Sequence, residues 1–195
     1  DLADALAEGV HRGRAAHAVS VLVIPDISRH VPDTARGVLD FALLARRRHP
    51  DVLAGLGLGG TEAGFPPERF ADAFAEARRS GLRVVAHGGE TGGAASVRSA
   101  VETLQAERIG HGIRCLEDPA VVRLLRERRV PLEVCPVSNY RTKSCPEGTA
   151  HPIRRMVKAG LLCTVNSDEH ALFATSLAGE YALLDGQRIS WDELL

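Results

Sequence analysis

The chain has 195 residues, with 24 Lys plus Arg against 25 Asp plus Glu and a formal net charge of -1. That balance excludes a basic nucleic-acid-binding face and a polybasic membrane anchor as the main activity. The 45% hydrophobic and 25% charged fractions exclude wholesale disorder, and the four cysteines contain no CxxC pair and form no disulfide scaffold. That cysteine usage makes a reducing cytoplasm the default expectation, and no apolar run reaches the ~18–20 residues of a membrane helix.

Residues 1–14 read as a helix with Leu2, Ala5, Leu6 and Val10 along one face. The β-branched run from Ala18 to Ile24 predicts a buried strand stopped by Pro25. Asp33 is placed to cap a helix through Val38, Leu39, Ala42, Leu43 and Ala45 that ends before Pro50. Val52 to Leu58 predicts a strand ending in glycines. Pro66 and Pro67 then open a helix through Phe70, Ala73, Phe74 and Ala77, closed by Gly81. Leu82 to Ala86 predicts a strand ending at His87, and Val97 to Leu104 a helix. Arg108 to Gly110 is a very short strand ending at His111. Asp118-Pro119 starts a helix through Val121, Leu124 and Leu125. Leu132 to Val134 predicts a strand ending at Cys135-Pro136. His151-Pro152 opens a helix through Met156 and Val157, closed by Gly160. The last strand, Leu161 to Val165, ends at Asn166-Ser167-Asp168-Glu169.

Six alternations of strand and helix predict a parallel sheet with right-handed crossovers. A doubly wound sheet feeds its ligand from one or two strand ends, whereas a barrel collects catalytic groups from many. Here His87 with Glu90, His111, Ser138 with Asn139, and Asp168 with Glu169 follow four strands in turn, which favours the barrel. Six units in 195 residues is about 32 residues each, and a full barrel takes roughly 250 residues. The expected fold is therefore α/β, a (β/α)8 TIM barrel represented by about six of its eight βα units, the leading units absent. The expected domain is a single unit over residues 1–195, incomplete at its N-terminus and at its C-terminus.

Four motifs carry chemistry, each with a plainer reading beside it. Gly55-Leu-Gly-Leu-Gly-Gly60 matches G-x-G-x-x-G, but Thr61 to Phe65 intervene before the next helix and the following strand ends in His87 rather than an acid. A tight strand-to-loop turn, with backbone close to something, fits better than dinucleotide binding. His87-Gly-Gly-Glu90 lets the backbone turn so that His and Glu meet one small ligand, or makes a hydrogen-bonded loop. His111 between glycines repeats the theme one strand later. Asp168-Glu169 either faces His87 across the barrel mouth or caps the next helix. His with Asp is a ligand set suited to a catalytic divalent ion. Cys135 reads as a buried, unactivated thiol. The signature of the cytidine-deaminase-type fold, H-x-E with P-C-x-x-C, is absent. The histidines at 11, 17, 30, 49, 151 and 170 show no chemical pattern.

His87-Gly-Gly-Glu90, Arg108-Ile-Gly-His111-Gly112, Glu133-Val-Cys-Pro-Val-Ser-Asn139 and Asn166-Ser-Asp168-Glu169 occur in family order. The series resembles that of the adenosine/adenine deaminases of the metal-dependent amidohydrolase superfamily, with further matches at His151-Pro-Ile153 and Thr175 to Tyr181. The resemblance runs from about Val19 to Tyr181. It implies a (β/α)8 barrel with one divalent metal, zinc first among candidates, held by His87 and Asp168. Two further family ligands come from an H-x-H motif that this sequence does not contain. By the same resemblance Glu90 protonates the purine ring, and His111 and Asp168 handle the attacking water. The Gly60 backbone N–H and Glu169 bind the purine. Glu169 stands where the family has a second Asp, and Gly57 to Glu62 depart from the usual D-L-A-G-D-E.

The implied activity is metal-dependent hydrolytic deamination of adenosine to inosine and ammonia. The alternatives are deamination of adenine or a modified adenine nucleoside, and a non-catalytic purine-binding relative. The expected partner is a small-molecule purine nucleoside or base, with no nucleic acid and no membrane, and an oligomer is allowed.

Overall fold

The computed structural model describes residues 1–187 and residue 189. Arg188 and residues 190–195 of the expected domain lie outside the described residues. Six strands, β1 (Asp26–Ser28), β2 (Gly55–Gly59), β3 (Arg83–Gly88), β4 (Arg108–His111), β5 (Leu132–Val134) and β6 (Cys163–Val165), form one sheet. Every pairing is parallel and the spatial order equals the chain order. A doubly wound sheet reverses direction at a switch point. This sheet has none, so all the carboxyl ends converge along one arc, the geometry of a (β/α)8 barrel.

The helices are α1 (Leu2–His17), α2 (Ala35–Arg48), α3 (Ala71–Arg79), α4 (Gly93–Glu102), α5 (Pro119–Arg128), α6 (Pro136–Arg141), α7 (Ile153–Lys158), α8 (His170–Phe173) and α9 (Leu177–Gly186). Among the described residues no helix is long and apolar enough to cross a membrane. Side chains alternate across each strand. Ile27, Leu56, Leu58, Val84, Ala86, Ile109, Leu132 and Val134 are buried in the core with helix residues such as Leu39, Phe74, Val97 and Leu125. Each of these side chains larger than alanine stabilises the fold by about 1.5–3 kcal/mol. The opposite strand face carries Asp26, Gly57, Val85, His87, Gly110 and Glu133, so charged and ring groups stand among small and apolar ones on the inner side.

Two sequence expectations shift. The predicted strand at Ala18 to Ile24 begins late. Val23 makes an isolated bridge to Leu53, and Pro25 accepts from the Gly57 N–H at 2.9 Å but has no N–H to give. Regular pairing starts at Asp26, and Val19, Val21 and Leu22 are exposed at the sheet edge. Asp33 caps nothing; it lies within a 3-10 turn, Pro32–Thr34, that leads into α2. Asp118 does cap α5, accepting from the Ala120 N–H at 2.8 Å.

Candidate active site

The strand tips build one cavity of about 360 Å3, lined by Gly60, Thr61, His87, Glu90, Thr91, His111, Thr142, Asp168, Glu169 and Phe173. Every site residue expected from the sequence is therefore on one wall. His87 and His111 come from adjacent strands, where Gly88 pairs with His111 and His87 with Gly110. Their rings meet edge to face, 4.9 Å apart at an interplanar angle of 79°. Gly110 makes this contact available, because a Cβ there would lie 2.8 Å from His87 Cδ2.

His111 Nε2 lies 3.6 Å from Glu90 Oε2 and 3.8 Å from Asp168 Oδ2. His111 and Asp168 both hold positive φ, 62° and 55°. Non-glycine residues rarely take that conformation, and it costs of order 1–3 kcal/mol. Both turns aim a side chain back over the strand ends. Ser138 Oγ donates to Asp168 Oδ2 at 2.6 Å, and Thr142 Oγ1 donates to Glu90 Oε1 at 2.8 Å. Glu169 precedes α8 but makes no side-chain cap bond, and it faces the cavity from an exposed rim.

Burial raises the Glu90 carboxyl above the usual carboxylate range, reinforced by Asp168 and Glu62 and opposed by the Thr142 hydroxyl and His87. Burial lowers both imidazoles, which favours neutral rings. For His87 the neighbouring His111 adds to the effect.

Three features were not legible in the sequence. Glu62 is buried and accepts three backbone N–H bonds, from Gly89 at 2.9 Å, Glu90 at 2.8 Å and Thr91 at 3.0 Å. Burial pushes its carboxyl up, but the neighbouring Ser96 hydroxyl and these three N–H bonds outweigh that and leave it below the ordinary value. The fully buried Arg29 donates to the carbonyls of His87 and Phe65 beside it. Asp26 leans across the inner face of β2, where a Cβ on Gly57 would collide with its Oδ1. The glycine run of Gly55 to Gly60 is thus a strand making room for a carboxylate. Cys135 is the third. Its Sγ, one ligating atom of His111 and one of Asp168 lie within 4.8 Å of one another. Burial pushes the thiol up, and Asp168 adds to this, so the thiol stays protonated as the sequence reading expects.

The imidazole nitrogens of His87 and His111 and the carboxylate oxygens of Asp168 share this cavity, and that donor chemistry fits a divalent transition ion. The sequence profile of the adenosine deaminase family matches residues 1–193. This chain belongs to the adenosine/adenine deaminase family of the amidohydrolase superfamily. It is 42% identical over 171 residues to an adenine deaminase of Cupriavidus necator, covering 87% of this chain and 48% of that protein. It is 44% identical over 137 residues to an aminodeoxyfutalosine deaminase of Streptomyces avermitilis, covering 70% of this chain and 38% of that protein. The crystal structure of an adenine deaminase from Arthrobacter aurescens superimposes with a TM-score of 0.88 at 37% identity, over 96% of this chain and 57% of that one. An amidohydrolase from Burkholderia ambifaria with bound Zn gives a TM-score of 0.81 at 28% identity, over 91% and 49%. The chain spans about half the length of the curated relatives it matches. Among these relatives adenine deaminases are prominent.

Proposed function

We propose that this chain carries the catalytic wall of an adenine deaminase, converting adenine and water to hypoxanthine and ammonia. The observation that supports it best is the convergence of Glu90 and Asp168 on His111 Nε2, at 3.6 and 3.8 Å. The adenine deaminases among the relatives support the base rather than the nucleoside.

His87 and Asp168 would hold the metal, with zinc first by analogy with the Zn-containing neighbour. When bound, the ion supplies positive charge that lowers the pKa of water toward about 7. The chain's own groups do the rest. An aromatic carbon bearing an amino group is a poor electrophile until a ring nitrogen gains a proton. Glu90, whose carboxyl burial shifts toward the neutral form, gives that proton. Asp168 accepts a proton from the attacking water, held in place by Ser138. His111 donates from Nε2 to the developing negative oxygen. The Gly60 N–H and Glu169 bind the purine edge. A carboxyl facing an imidazole nitrogen of the purine must carry a proton or share one with it.

The test is ammonia release and loss of adenine absorbance on the zinc-loaded whole protein, with adenosine and aminodeoxyfutalosine as competitors. A higher kcat/KM for adenine is expected. A zinc-loaded protein that releases no ammonia from adenine overturns the reading. Preference for a nucleoside would favour the second reading, which the Streptomyces avermitilis relative supports.

A further inference from the structure

We propose that Asn139 and His151 are positioning residues that fix the tautomer of His111 through a one-way chain of hydrogen bonds beginning at the backbone N–H of Ile153. The inference rests on the role given to His111 above. A backbone amide can only donate, so the direction of the chain is set at its origin.

Ile153 is the first residue of α7, and its N–H is among the amides a helix leaves without an internal partner. His151 Nδ1 accepts it at 3.2 Å. A neutral imidazole that accepts at Nδ1 carries its proton on Nε2. Burial holds His151 neutral, with its pKa lowered to about 4. Its Nε2–H then donates to Asn139 Oδ1 at 3.2 Å. An amide whose oxygen is committed presents NH2 on its other side. Asn139 Nδ2 lies 3.1 Å from His111 Nδ1 and donates to it. His111 is thereby required to carry its proton on Nε2, the nitrogen that faces Glu90 and Asp168.

The chain is sealed from water, since Asn139 is 0% exposed and His111 and His151 are each 2% exposed. Its middle members are braced. The Cys145 N–H donates to the Asn139 carbonyl at 2.8 Å, and the His151 N–H donates to Gln187 Oε1 at 2.8 Å. Tyr140 packs edge to face on the His151 ring at 5.7 Å. The consequence is chemical. With Nε2 protonated, His111 offers a donor to the reacting oxygen and cannot remove a proton from it, so that task falls to Asp168. The Asn139 amide is what distinguishes this tautomer from the opposite one. A carboxylate at 139 would accept from both rings and move the His111 proton to Nδ1.

The experiment uses the zinc-loaded whole protein labelled with 15N-histidine, in which long-range 1H–15N spectra at neutral pH read each ring's tautomer. The expected result is an Nε2–H tautomer for both His111 and His151. Asn139→Asp is expected to move the His111 proton to Nδ1 and lower kcat by about 10²-fold, the scale for one lost oxyanion donor, with KM nearly unchanged. His151→Gln, which keeps an acceptor and a donor at similar reach, is expected to retain the Nε2–H tautomer. A wild-type His111 observed as Nδ1–H overturns the proposal whether or not the variants fold. An Asn139→Asp protein that folds and keeps the Nε2–H tautomer also overturns it. An Nε2–H His111 that responds to Asn139→Asp in a protein inactive on adenine would support the chain and defeat the functional reading instead.

Discussion

The inner wall at the tips of β3 to β5 and the rim after β6 serve one cavity by different means. On the inner wall His111 has each ring nitrogen facing a defined group, and the Glu90 loop hangs on three N–H bonds to Glu62. On the rim Asp168 is 22% exposed on its side chain, Glu169 is exposed, and the four-residue α8 leaves Leu172 76% exposed. Ser138 ties the rim to the interior by donating to Asp168. Buried polar groups in low dielectric are costly unless satisfied, and when satisfied they hold one geometry. The difference teaches that proton transfer is built where geometry cannot drift, and purine recognition where side chains can be exchanged cheaply.

The sharpest break of that contrast is at Glu90. Glu90→Gln keeps the fold and the metal but removes the proton donor, so adenine turnover is expected to fall at least about a hundredfold. Steady-state kinetics beside a metal assay checks it, and near-normal turnover would move the acid role elsewhere.

Glu62 tests whether the inner wall owes its rigidity to that carboxylate. Glu62→Gln leaves buried N–H groups with poorer acceptors and is expected to cost about 1–3 kcal/mol by urea unfolding. The Glu62 carboxyl is held below its ordinary value of 4.5. Its contribution is therefore present above about pH 4.5 and lost as pH falls through the lower folded value. The stability gap between wild type and variant should close in that acidic range, and a gap independent of pH would show that charge is not involved.

Gly110→Ala probes the same wall from the neighbouring strand. The added methyl would press the His87 ring at 2.8 Å, and zinc affinity by chelator competition is expected to drop about 10–100-fold. Unchanged affinity would separate His87 from the metal.

The rim is expected to respond least. Glu169→Ala should raise KM for adenine roughly tenfold, the scale of one lost charged hydrogen bond, without changing Tm, because Glu169 makes no cap bond. Glu169→Asp should leave activity unchanged or raised. A lowered Tm with unaltered KM would return Glu169 to a structural role.

The sequence by itself determined the strand and helix alternation, the parallel order and the strand-end positions of His87, His111 and Asp168. Each of these is local. Side-chain periodicity identifies an element, and a polar residue just past an apolar run identifies its tip. The sequence also indicated that the glycines of Gly55 to Gly60 admit a close neighbour, but not that the neighbour is Asp26, nearly thirty residues earlier. Glu62 gave no chemical signal, and Asn139 and His151 showed only as motif residues without a role, for the same reason. Their partners are Gly89, His111 and Ile153, and two of those three contacts depend on how separate βα units stack. Register and crossover packing decide such pairings. They follow from the summed burial of the apolar faces rather than from any short run of residues. Tertiary structure alone therefore decided which buried polar groups meet, and with that the protonation geometry of the site.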